Sequence, residues 1–281
     1  MSVIAMTQEM ATLGKDVALG VCEALGLTQV RQEVGDVVAG KMHVKKSLIR
    51  RLREGKASTL ERWAADEKTI SIFTAEEVFD LAVRGNVLIR GWGATLWLRP
   101  VAHIPTIQVC APMALRVKRL LARLETDDDA LARREIRTDD QARHSRMSEH
   151  FDVAWGDPAL YDLTLNTERL PIATCVDMIV ALAKSKEFTE TPSTRQHLIN
   201  LALAARVRAA MRVNESTAGV DVTVQATNGN VTLSGIVSDM HERDECEKTV
   251  AQVSGVSGVT DQLSVMKGSV GGRIFPGGLA R

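Results

Sequence analysis

The sequence predicts an α/β fold, a parallel sheet flanked by helices, followed by a small α+β unit of order α-β-β-α-β. Three observations carry this expectation. Short, largely apolar runs at 3–6, 87–89 and 106–110 recur between stretches of helical pattern. Such runs suit strands buried on both faces, and their spacing suits crossover helices. A polar stretch without periodicity, 187–196, then breaks the pattern. Beyond it, residues 220–226 alternate strictly and run into Asn228-Gly229, the signal of a tight hairpin with positive φ at both central residues.

Residues 3–6 (Val-Ile-Ala-Met) read as the first strand, and Val17, Val21 and Leu25 as the inner face of the first helix. Strand, turn and helix N-terminus form a geometry that holds phosphate. The first N–H groups of a helix lack internal partners, and the helix dipole favours negative charge there. Thr12, Gly14 and Lys15 are residue types that phosphate loops use, whereas Ala11 and Leu13 stand where glycines are expected. By itself the stretch also fits a plain strand-to-helix connection.

Residues 33–65 read as polar and helical. Within 43–53, Val44, Leu48, Ile49 and Leu52 share one face, and the basic residues read as its solvated opposite. Thr74 reads as an N-cap, with Glu76 and Glu77 in the first turn of a helix that ends at Gly85. The second strand, 87–89, leads into Arg90-Gly91-Trp92-Gly93-Ala94, whose glycines fit either a tight turn or a close approach of backbone to ligand. The third strand, 106–110, ends at Pro112, and a helix carrying Arg116, Lys118, Arg119 and Arg123 follows. The charged segment 127–150 fits a solvated helix with an Asp139–Arg143 pair; its place in the chain is also that of a nucleotide kinase's lid, where arginines neutralise a transferring phosphoryl group. A strand at 161–165 and a helix at 171–187 complete this part. The second part reads as a helix at 197–212, strands at 220–226 and 230–237, a helix at 239–254 with Cys246, Val250 and Val253 inward, and a strand at 255–265. Residues 268–281 read as a flexible tail.

Composition excludes several functions. Of 281 residues, Lys+Arg and Asp+Glu number 35 each, so net charge does not direct the chain to nucleic acid, and aromatics at 4% supply few stacking platforms. The cysteines, Cys22, Cys110, Cys175 and Cys246, are far apart in apolar contexts and lack metal-ligand spacing. No metal-binding set is expected. Neither a membrane span nor a secretory leader is apparent, and a cytoplasmic location is expected.

Together these pieces resemble the cytidylate-kinase-like family of P-loop nucleotide kinases over residues 1–187. Ala11-Thr12-Leu13-Gly14 resembles its phosphate loop, Gly91-Trp92-Gly93-Ala94 its Gly-Arg-Gly-Ala turn, and Asp140-Gln141-Ala142-Arg143 its lid Asp-x-x-Arg. The stretch from Asp157-Pro158 through Tyr161-Asp162-Leu163 to Asn166-Thr167 resembles its last strand. The resemblance implies Thr12, Gly14 and Lys15 at donor phosphates, and Arg90, Gly91, Gly93 and Asp140 at the acceptor. It implies catalytic roles for Arg137, Arg143 and Arg146, with ATP and Mg²⁺ as cofactors of an active enzyme. The loop retains one of its usual glycines, and Trp92 replaces an arginine.

After a linker at 188–196, residues 197–267 resemble the BON domain through Asn-Gly-Asn-Val-Thr-Leu-Ser-Gly at 228–235 and Gly-Val-Ser-Gly-Val at 255–259. This resemblance implies a non-enzymatic module that meets a protein or a phospholipid surface. The expectation is a scaffold or regulatory protein whose kinase-like part binds nucleotide weakly or not at all. The alternative is an active ATP-dependent nucleoside monophosphate kinase of the cytidylate type. No nucleic-acid partner is expected, and self-association stays open.

Overall fold

A computed structural model describes residues 2–31, 33–64 and 66–266. The expected tail at 268–281 lies outside them. The chain divides into two compact units between Ala209 and Ala210.

The first unit begins with β1 (Val3–Gln8), α1 (Gly14–Leu25), β2 (Thr28–Val30), α2 (Glu33–Lys41), α3 (Lys46–Arg53), α4 (Thr59–Ala64) and α5 (Glu67–Arg84). It continues through β3 (Val87–Arg90), α6 (Ala94–Trp97), β4 (Thr106–Cys110), α7 (Met113–Leu124) and α8 (Asp129–Phe151). Then come β5 (Leu163–Asn166), α9 (Ile172–Ala183) and α10 (Pro192–Val213), whose residues up to Ala209 belong to this unit. The strands form a five-stranded sheet of order β2-β3-β1-β4-β5, parallel throughout. β1 lies between β3 and β4, so the strand order switches there and a crevice opens at the C-terminal strand ends.

Alternation along β1 divides the core. Val3 and Ala5 join one cluster with Val34 and Val38 of α2, Phe73 and Val78 of α5, and Leu198, Ala202, Ala205 and Ala209 of α10. Ile4 and Met6 join the other with Val17 and Val21 of α1 and Cys175 and Ile179 of α9. Burial on both faces is why β1 reads as an unbroken apolar run.

The structure differs from expectation in three places. β2, a three-residue strand beside β3, is too short to leave a periodic signal. α5 starts at Glu67 and runs through Thr74, because the Asp66 carboxylate caps it by accepting the Thr69 N–H at 3.0 Å. Glu76 and Glu77, read as first-turn acids, instead pair with Lys41 at 2.6 Å and Arg84 at 3.2 Å. Within the stretch expected to be a linker, a 3₁₀ turn occupies Lys186–Phe188 and α10 starts at Pro192. Thr191 Oγ1 there accepts the Thr194 N–H at 3.2 Å, a threonine cap followed by proline at the first helical position.

The second unit contains β6 (Thr223–Thr227), β7 (Asn230–Val237), α11 (Met240–Ala251) and β8 (Gly258–Val265). β6 and β7 are antiparallel, and β7 and β8 parallel. Asn228 and Gly229 take φ of 51° and 87°, as the hairpin signal requires. Val224, Val231, Leu233 and Leu263 are buried, as are Cys246 and Val250 of α11. Asp239 caps α11 by accepting the Glu242 N–H at 2.8 Å. The cysteines are free thiols. Among the described residues no helix is long and apolar enough to cross a membrane.

His103, in the segment before β4, is 4% exposed, and neither ring nitrogen has a partner among the described residues. Burial pushes its pKa below the ordinary 6.5, with Arg195 acting in the same direction and Glu190 against it. The unfolded chain therefore binds this proton more readily, and stability falls as pH drops below about 6.5. His103→Phe is expected to flatten the dependence of the urea midpoint on pH between 7 and 5; an unchanged slope would show that other groups govern it.

Candidate functional site

β1 delivers the chain to a loop over residues 9–13, and α1 starts at Gly14. Ala11 and Leu13 have φ of 61° and 63°, the left-handed region that favours glycine. Each costs about 1–2 kcal/mol there. The Ala11 side chain packs against the cluster of Val117, Leu120, Ala132 and Ile136, which offsets part of that cost. Thr12 Oγ1 donates to the Glu9 carbonyl at 2.9 Å, and Thr167 Oγ1 to the Thr12 carbonyl at 2.8 Å. The N–H groups of Asp16 and Val17 both donate to the Leu13 carbonyl, at 3.0 and 3.1 Å. Those of Thr12, Leu13, Gly14 and Lys15 donate to no described residue, so they stand ready for an anion. A Cβ at Gly14 would lie 2.6 Å from Gln8 Oε1, so this position requires glycine or a shift of Gln8.

Two arginines of α7 brace the loop. Arg119 donates to the Thr167 hydroxyl at 3.0 Å and to its carbonyl at 2.8 Å. Arg116, 3% exposed, donates through Nε to the Met10 carbonyl at 2.8 Å. Its two terminal nitrogens reach both Asp140 oxygens, at 2.9 and 2.7 Å. Glu9 lies 3.5 Å from the same guanidinium, yet burial outweighs that attraction and pushes its carboxyl pKa up.

Across the crevice the guanidinium groups of Arg31, Arg53, Arg90, Arg143 and Arg146 converge. Arg90, at the end of β3 and 5% exposed, donates to Gln8 Oε1 at 3.1 Å, and its Nε has no partner among the described residues. Burial lowers its pKa to about 10, helped by Arg31 and Arg143. Arg146 donates to the Leu52 carbonyl at 3.2 Å, and burial with Arg143 nearby lowers its pKa to about 10. Arg143 pairs with Asp139 at 2.7 Å and lies 5.5 Å from the Trp155 ring centre. The Arg53 guanidinium sits 3.5 Å over the Trp92 ring. Two cavities adjoin this cluster and share Arg53, Trp92, Arg143 and Arg146. One is walled by Trp97, Phe151 and Trp155, the other by Arg31, Asp36 and Asp139. Aromatic faces beside desolvated cations form a receptor for a planar group that carries an anion.

The structure brings together most of the residues expected at the site. Thr12, Gly14 and Lys15 lie on the loop and first turn of α1, with Lys15 exposed. Arg90 ends β3, Gly91 and Gly93 follow it, and the Gly91 N–H donates to the Met6 carbonyl at 2.8 Å. Arg143 and Arg146 reach the cluster, whereas Arg137 is exposed and borders an adjoining open cleft with Glu9 and Asp140, which Arg146 also lines. Asp140 itself is engaged by Arg116.

Arg31, Arg53, Arg116 and Arg119 were not expected in these roles. Two of them had a signal. Arg53 follows the buried Ile49 by four residues and so shares its face, an exception to the reading of the basic residues as the solvated side. Arg116 stands four before the buried Leu120. Breaking the Arg116 contacts is expected to cost about 2 kcal/mol, because the Met10 carbonyl and the partly exposed Asp140 carboxylate lose a charged donor. Arg116→Met should lower the urea midpoint accordingly; a midpoint within error of the wild type would mean that solvent replaces these contacts.

The model of the cytidylate kinase-like family matches residues 3–169, and that of the BON domain residues 201–267. A cytidylate kinase of Staphylothermus marinus is 26% identical over 160 residues, 55% of this chain and 88% of that protein. An uncharacterized protein of Eubacterium ventriosum superposes with a TM-score of 0.52 at 18% identity, over 66% of this chain and all (100%) of its own. A shikimate kinase of Bacteroides thetaiotaomicron superposes less closely, with a TM-score of 0.42 at 14% identity over 66% of this chain and 99% of its own. A parallel five-stranded sheet carrying a loop at the end of β1, matched along most of its length, places the chain in the cytidylate kinase-like family, with a BON domain following.

Proposed function

We propose that the α/β unit binds a phosphate-bearing nucleotide at the arginine cluster and holds ATP only weakly at the loop, so that phosphoryl transfer is slow or absent. The observation that carries this reading is the pair Ala11 and Leu13 at positive φ. A phosphate loop requires several N–H groups to point at one anion, in a backbone shape that glycine adopts freely and other residues resist. Two strained residues raise the energy of that shape, so it is less populated than in a glycine loop and part of the binding energy of ATP goes to holding it. Trp92 in the acceptor-side turn is also at positive φ, but the cations there are side chains already collected around the cavities and depend less on backbone shape.

Cytidine monophosphate is the natural first probe, because the Staphylothermus relative bears the name cytidylate kinase. The unengaged loop N–H groups fit nucleotide phosphates. Mg²⁺ would be held mainly by those phosphates and water, since among the described residues no group of three or more His, Cys, Asp or Glu side chains could hold a metal. When bound, it would neutralise phosphate charge.

One observation favours a second reading, an active ATP-dependent kinase. The loop retains its curl, with free donors and the Ala11 methyl accommodated in the apolar cluster. In either case the BON domain carries the interaction role, toward a protein or a phospholipid surface. Ile236, Met240 and Met266 support this, being 64%, 55% and 62% exposed near one end of β7 and β8. The free thiols suit a reducing, cytoplasmic setting.

Calorimetric titration of the full chain separates the two readings. Wild-type protein is expected to bind CMP, to bind ATP–Mg²⁺ weakly, and to show no robust phosphorylation of CMP. Ala11→Gly with Leu13→Gly relieves about 1 kcal/mol or more at each position and is expected to tighten ATP binding by about tenfold or more. Efficient turnover by the wild type would establish the second reading instead.

A further inference from the structure

We propose that Trp92 is a positioning residue whose indole face holds the Arg53 guanidinium as an anion-binding group for the acceptor phosphate. The proposal rests on the reading of the arginine cluster as an acceptor site.

Trp92 is itself fixed from several sides. It sits at φ 63° in the turn after β3, and its Nε1–H donates to the Arg31 carbonyl. The ring lies over Gly35 of α2 so closely that a Cβ there would come within 2.7 Å of its edge. Gly91, at φ 88°, leaves room for Arg53, whose Nη2 would lie 3.0 Å from a Cβ at that position. The ring is therefore a rigid shelf, and the Arg53 guanidinium carbon rests 3.5 Å from its centre.

Arg53 differs from Arg90, Arg116, Arg143 and Arg146 in what holds it. Arg143 has Asp139, Arg116 has Asp140, and Arg146 and Arg90 donate to oxygens. For Arg53, no hydrogen bond or ion pair joins the guanidinium to a described residue; its contact is the ring face. Stacking occupies one face of the planar group and leaves its in-plane N–H donors free. Those donors lie at the wall shared by the two cavities. Arg143, Arg146 and Arg31 surround the group with like charge, and burial with this repulsion lowers its pKa well below the usual value. An incoming phosphate monoester relieves both burdens, and a ring that fixes Arg53 beforehand lowers the ordering cost of binding.

The test is a double-mutant cycle on the full chain, with CMP and inorganic phosphate as calorimetric probes. Arg53→Ala is expected to weaken CMP binding by about tenfold or more, the scale of one charged hydrogen bond. Trp92→Leu should weaken it to a similar degree, and the double variant should lie within about twofold of Arg53→Ala alone. Trp92→Phe retains a ring face and should stay within about threefold of the wild type. A purely structural role for Trp92 predicts multiplicative losses in the double variant, and that result overturns the proposal. So does an Arg53→Ala protein that binds CMP as tightly as the wild type. If Trp92→Leu does not fold, Trp92→Phe decides: a loss of about tenfold there would place the N–H to Arg31, not the ring face, at the centre and overturn the proposal. Failure of the wild type to bind either probe overturns the acceptor-site reading, and this proposal with it.

Discussion

The guanidinium of Arg116 holds the donor side and the acceptor side in one frame. It is 3% exposed and joins the Met10 carbonyl of the loop to Asp140 of α8, while belonging to α7 itself. Asp139, Arg143 and Arg146 lie on one stripe of α8 at helical spacing. Gripping Asp140 therefore fixes the rotation of α8 about its axis, and with it the direction in which that stripe points. Without this grip the strained loop and the arginine cluster would each lose a wall.

The two sides of the crevice treat negative charge differently. The loop offers backbone dipoles, whose strength depends on conformation and so on the φ values at Ala11 and Leu13. The opposite wall offers full charges, whose strength depends on desolvation. Arg90, Arg53 and Arg146 all have pKa values lowered by burial, and Asp139 is the acid paired within the cluster. Such a collection is costly when empty and gains most from an anion that replaces water. A loss of glycine affects the first wall and leaves the second intact.

The fold was readable because the sheet is buried on both faces and its strands run as apolar blocks between helices. The hairpin was readable because Asn228-Gly229 demands a particular backbone. The short β2 was not, since three residues leave no period. The start of α5 was misplaced because Thr74-Ala75-Glu76-Glu77 has the composition of a helix start, while the cap that operates is Asp66. Residues 197–212 were rightly read as helix, yet Leu198, Ala202, Ala205 and Ala209 belong to the core of the first unit, which an amphipathic pattern cannot assign to one sheet or another. At the site, the loop and the turn after β3 were found through local motifs. Arg31 follows the short β2 and Arg119 lies on a helix read correctly, yet only the tertiary fold brings their side chains to the site.

The close approach of the Trp92 ring to Gly35 ties together two positions that are far apart in the chain. A side chain at 35 and an indole at 92 exclude each other sterically. In any set of descendants of this sequence the two sites should therefore drift as a pair. A larger residue at 35 would be accepted only after position 92 has shrunk or turned outward, and tryptophan could return only once glycine had. Such a coupled pair constrains the order in which this pocket can change, independently of what the pocket binds.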